Sequence, residues 1–191
     1  MVSKRPKQKS EESGARLAGG NIGGRLSSKE IFLRIWEREF QTTVRVFEAF
    51  SADQLEFKAH ERSRSVRDLA WQCVIDEGVI ASTEARNDLR NVPAGPPPPQ
   101  TMEEIVAAYE NAYAQAVAKV SRFSEDEFNR TVSCVLPGGE WKMPQPEAFW
   151  GNLMDEVHHR GQLTVFLRLA GGKVPSIYGP SGDAAPSYGA T

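Results

Sequence analysis

Helix-start signals recur along this chain, each followed by apolar residues at helical spacing. Ser27 with Glu30, Ser65 with Asp68 and Thr101 with Glu104 place a hydroxyl at an N-cap and an acid three residues on, where the side chains can satisfy unpaired backbone N–H groups. Behind Ser27, the residues Ile31, Phe32, Ile35, Trp36, Phe40, Val44, Phe47 and Phe50 form one stripe, which predicts a first helix to about Phe50. The second start leads through Leu69, Cys73 and Ile80 and predicts a helix to about Arg90. The third leads through Ile105, Ala108, Tyr109, Ala112, Ala116 and Val120. Pro146 suits the first turn of a fourth helix ending near Gly171 and Gly172. Apolar residues lie almost all round this last helix (Phe149, Leu153, Val157, Leu163, Phe166, Leu167, Leu169), which predicts that it is the most buried of the four.

The connections differ in kind. Residues 92–100 carry four consecutive prolines, which forbid helix and make a stiff connector. Thr131–Leu136 is rich in β-branched and apolar residues, and Pro137-Gly138-Gly139 turns the chain into Glu140-Trp141-Lys142-Met143, as in a small hairpin or an irregular excursion. Residues 1–26 are polar and glycine-rich, too poor in apolar surface to offset ordering entropy, and are expected to form a disordered arm. The folded domain is then expected over 27–183, with a loose tail over 184–191. These features describe an all-α four-helix bundle, a fold whose facing helices build metal sites in the core.

A length of 191 residues suits one domain with a sizeable core. The net charge of −2 gives no field for nucleic acid or an anionic membrane, and no apolar run approaches bilayer-spanning length. Cys73 and Cys134 are too few for a disulfide framework. A cytoplasmic protein with neither nucleic-acid nor membrane partners is the expectation.

Chemistry concentrates in Leu153–Tyr178. Asp155 and His159 stand at i, i+4 on one helix face, where a carboxylate oxygen and an imidazole nitrogen can share a divalent metal. An ordinary helical ion pair fits the same spacing. Glu156 and Arg160 also stand at i, i+4 and read as an ion pair with each other. His158 faces elsewhere, Gln162 continues the Asp155–His159 stripe, and His60 lies in a polar linker.

The run His158-His159-Arg160-Gly161-Gln162, with Leu167-Arg168, Gly171-Gly172 and Val174-Pro175-Ser176-Ile177-Tyr178-Gly179-Pro180-Ser181, resembles the C-terminal signature of the DinB-like family. The resemblance is dense over about thirty residues and looser over 28–181. It implies a bundle with a metal held by a histidine on the second helix and two residues a turn apart on the fourth. The fourth-helix positions are Asp155 and His159. On the second helix, aligning Leu69-Ala70-Trp71 and the acid downstream puts Gln72 where the family has histidine. A carboxamide oxygen is a weaker ligand than imidazole for zinc or nickel. Two readings follow for Gln72: a ligand helped by Asp76 one turn on, or a remnant hydrogen-bonded to His159 or Asp155. Cys73 points about 100 degrees away and reads as a small buried hydrophobe.

The resemblance implies a divalent-metal enzyme, zinc or nickel being first choices. It would be a thiol transferase or a hydrolase, acting on a small molecule or low-molecular-weight thiol, in a homodimer. The alternative is a degenerate, metal-free bundle serving as a binding or dimerising scaffold.

Overall fold

The computed structural model describes residues 25–90 and 95–185. Four long helices form the bundle: α1 (Ser28–Phe47), α2 (Val66–Ser82), α3 (Met102–Arg122) and α5 (Gln145–Leu169). A single-turn α4 (Glu125–Phe128) and strands β1 (Arg86–Asp88), β2 (Thr131–Leu136) and β3 (Gly139–Pro144) complete it. Ser27 and Glu30 close a reciprocal cap on α1, Thr101 and Glu104 do the same on α3, and Ser65 accepts from the Asp68 amide on α2.

Helix α2 packs against both α3 and α5, and α1 against the same two, so α1 and α2 lie diagonally across the bundle. Phe32 stacks on Phe149 and touches Phe128 and Trp36, while Phe40 stacks on Tyr109 and Tyr113. These rings fill the space between α1 and the two helices beside it, where aromatic pairs add to the area they bury.

The excursion before α5 is an antiparallel hairpin, with Thr131 opposite Pro144 and Leu136 opposite Gly139, whose φ of 143° suits glycine. The α5 C-terminus is a Schellman cap: Gly172 N–H donates to Leu167 O and Gly171 N–H to Arg168 O, with Gly171 at a φ of 82°.

Two sequence expectations are corrected. Helix α2 ends at Ser82, not near Arg90. Ser82 and Thr83 hydroxyls both take the Val79 carbonyl, Lys119 from α3 takes the carbonyls of Ala81 and Thr83, and the chain turns out to form β1 parallel to β2. Helix α5 is also not apolar all round: Val165 and Leu169 are more than half exposed, while Glu156 and Arg160 lie in the core. The expected arm over 1–26 falls outside the described residues apart from 25 and 26. The expected tail over 184–191 does so apart from 184 and 185. Among the described residues no helix is long and apolar enough to cross a membrane.

Candidate metal centre

Asp76 on α2 faces Asp155 and His159 on α5. One donor atom from each lies within 4.8 Å of the other two. His159 Nδ1 is 3.6 Å from Asp76 Oδ2 and 3.8 Å from Asp155 Oδ2. Asp76 is buried, His159 mostly so, and Asp155 is 55% exposed.

The hydrogen-bond account of the two inner residues does not close. Asp76 Oδ2 and His159 Nδ1 are buried and have no hydrogen-bond partner, a costly state for polar atoms. Donors about 2.1 Å from a tetrahedral ion lie about 3.4 Å apart, near the separations found here. Two carboxylate oxygens and one imidazole nitrogen therefore fit a divalent cation, whose binding would satisfy both orphaned atoms. Burial lifts the Asp76 carboxyl above its ordinary range; the Gln72 hydrogen bond opposes this, the Asp155 charge adds to it, and His159 lowers it again.

Gln72 stands beside this cluster. Its Nε2 donates to Asp76 Oδ1 at 2.9 Å, and its Oε1 accepts from Arg64 Nη1 at 3.0 Å. The carboxamide oxygen, the atom that would serve as ligand, is thus turned to Arg64, and the amide fixes the Asp76 carboxylate. Asp76 entered the sequence reading only as a helper of Gln72. Its spacing of four residues from Gln72 was the signal available, since both lie on one helix face.

The other chemistry-bearing residues fall elsewhere. His158 is exposed, with its Nε2 2.9 Å from Gln162 Nε2. His60 Nδ1 accepts from the Arg62 amide in an exposed loop. Cys73 is fully buried, and burial pushes its thiol well up, so no thiolate is available from it. Trp36 is core and donates to Glu77 Oε1 across the bundle.

Beside the cluster lies a second charged layer, which corrects the direct i, i+4 pairing expected of Glu156 and Arg160. Both are buried, and each bonds to other helices. Arg160 donates to Glu39 Oε2 at 2.5 Å, to the Glu39 carbonyl and to Tyr178 Oη. Glu156 Oε1 accepts from Thr43 Oγ1 and Tyr109 Oη, and the Thr43 hydroxyl also accepts from Arg160, bridging the two. Although burial opposes it, hydrogen bonds from Arg160 and Tyr178 hold Glu39 below its ordinary value.

The DinB family model matches residues 26–186. The chain belongs to the DinB family. A curated relative, the uncharacterized protein YrdA of Bacillus subtilis, is 28% identical over 163 residues, covering 83% of this chain and 92% of its own. Two solved structures share the fold. A DinB-like protein from Bacillus cereus superposes with a TM-score of 0.60 at 22% identity, over 77% of this chain and 95% of that one. YfiT from Bacillus subtilis, described as a probable metal-dependent hydrolase with an unusual four-helix bundle topology, gives 0.57 at 13% identity, over 88% and 94%. The all-α bundle expected from the sequence is thus the family fold.

Proposed function

We propose that this DinB protein is a divalent-metal enzyme of transferase or hydrolase type, with Asp76, Asp155 and His159 as its protein ligands. One observation carries the reading: two buried donor atoms on different helices, Asp76 Oδ2 and His159 Nδ1, face each other 3.6 Å apart with no other partner. The description of YfiT as a probable metal-dependent hydrolase supports the same class. Resemblance to thiol-dependent members supports a thiol as the other candidate nucleophile.

A bound metal supplies Lewis acidity and lowers the pKa of a coordinated water or thiol. The chain's own residues supply position. Gln72 holds Asp76 by its outer oxygen and leaves the inner one toward the site. His159 sets its Nδ1 within 3.8 Å of both carboxylates, and Asp155, at the exposed side, leaves an approach for substrate. Three protein ligands with a remaining open position is the arrangement of catalytic rather than structural sites. Zinc and nickel are the first ions to test, with manganese next because two of the three donors are oxygen.

The test is elemental analysis of protein purified without an affinity tag, followed by titration of zinc, nickel and manganese. About one equivalent should bind, Asp76→Asn and His159→Ala should each abolish it, and His158→Ala should leave it intact. Protein that binds none of the three ions would refute the enzyme reading and leave the bundle as a metal-free scaffold.

A further inference from the structure

A cleft of about 370 Å³ opens beside the three donors, lined by Ser63, Arg64, Leu69, His159, Gln162 and Phe166. His159 belongs to both cleft and cluster, so a molecule seated in the cleft lies against one of the three donors. The size is at the small end of ligand sites. Leu69 and Phe166 are buried residues that give it an apolar wall, with Phe166 braced edge-on by Phe57.

Arg64, an exposed side chain, is the permanent positive charge of this lining. Among the described residues it has no carboxylate partner, and its hydrogen bond goes to the neutral amide of Gln72. Other arginines lack an acid as well, but Arg64 is the one that lines the cleft. The same Gln72 side chain holds Asp76, so one amide fixes the guanidinium relative to a donor of the cluster. Gln72 thereby orients Arg64 without neutralising it, and the remaining N–H groups of the guanidinium are left for a ligand.

The geometry points to a small carboxylate-bearing ligand, its carboxylate on Arg64 and its apolar part against Leu69 and Phe166. This deepens the metal reading and rests on it for what the ligand's far end meets. A guanidinium offers two parallel N–H donors that match a carboxylate. Charge selects the same class. A divalent ion balances the two aspartates, leaving one positive charge on Arg64, which a monoanion neutralises and a phosphate dianion exceeds. An amide or alcohol of equal size would leave the guanidinium without a counter-charge.

The experiment titrates hexanoate, hexanamide and hexyl phosphate into the full chain by calorimetry, once with saturating zinc and once in chelator. Arg64→Gln and Arg64→Lys are carried alongside. Hexanoate should bind tightest of the three probes in zinc. Arg64→Gln should weaken it at least tenfold in either condition, Arg64→Lys should weaken it less, and zinc stoichiometry should not change in either variant. Hexanoate binding that is equal in Arg64→Gln and the original protein would overturn the proposal, because the carboxylate would then be bound by the metal alone. Hexanamide or hexyl phosphate binding as tightly as hexanoate would overturn it too, as would no binding of hexanoate in either condition. If the protein takes up no zinc but hexanoate still binds in chelator and depends on Arg64, the carboxylate subsite stands and the metal reading falls.

Discussion

Replacing Glu77 by glutamine should change how the stability of this protein depends on pH. Glu77 is fully buried on α2, with Oε1 accepting from Trp36 Nε1 at 2.7 Å. Its Oε2 is buried with no donor facing it, as suits an oxygen that carries a proton. Burial first, and then the charge of Glu156, pushes its pKa from the ordinary 4.5 up to about 9, and the protonated carboxyl donates to Glu156. The sign follows from proton counting. Between about 4.5 and 9 the folded protein holds a proton at Glu77 that the unfolded chain has released. Stability is therefore fully present below 4.5 and falls as pH rises, by about 1.4 kcal/mol per unit. From pH 6 to pH 8 the loss is roughly 2 to 3 kcal/mol.

Glutamine keeps the shape, the acceptor for Trp36 and an N–H for Glu156, but has no proton to lose. Urea unfolding of both proteins in chelator, at half-unit steps from pH 5 to 8.5, should show the original losing stability more steeply than Glu77→Gln. The gap should widen by roughly 2 to 3 kcal/mol between pH 6 and 8. Glu156 is also raised by burial and titrates together with Glu77, so the difference between the curves reports the proton the pair shares. Curves that run parallel over that range would show that Glu77 carries no proton in the folded protein, and the account of the buried carboxyl pair would be wrong.

Three further outcomes are expected. Arg160→Met should destabilise the fold by about 3 to 5 kcal/mol in urea unfolding, since it leaves the buried Glu39 carboxylate with the exposed Arg38 alone as counter-charge; a loss below about 1 kcal/mol would mean that Arg38 suffices. Gln72→Ala should weaken zinc binding by about 10- to 100-fold in competition with a chromophoric chelator, because Asp76 loses the amide that orients it. Unchanged affinity would show that the hydrogen bond does no positioning. Gly171→Ala should lower stability by about 1 to 2 kcal/mol through its φ of 82°, measured by thermal unfolding, with no change in metal content.

Local signals were legible where cause and effect are neighbours in sequence. The caps at Ser27, Ser65 and Thr101 are hydroxyls acting three residues away, and the α5 terminus is two glycines acting on the turn before them. The end of α2 was not legible because β1 exists only by pairing with β2, 47 residues later. Gln72 and Asp76 lie on one helix face, so their spacing could not say which of the two turns an oxygen toward His159; the orphaned Asp76 Oδ2 supplies that distinction. Arg160 and Glu156 were misread for a related reason. Apolar residues placed nearly all round α5 hid which face is core, and the partners that draw these charges inward, Glu39 and Thr43, are more than a hundred residues distant. Each residue advances about 100 degrees around a helix, so the consecutive residues His158, His159 and Arg160 must face three directions. One is exposed, one faces the two aspartates, and one is buried against Glu39 and Tyr178. A signature that dense is therefore three separate structural demands placed side by side. That is why each residue's task is unreadable until the other helices are in place.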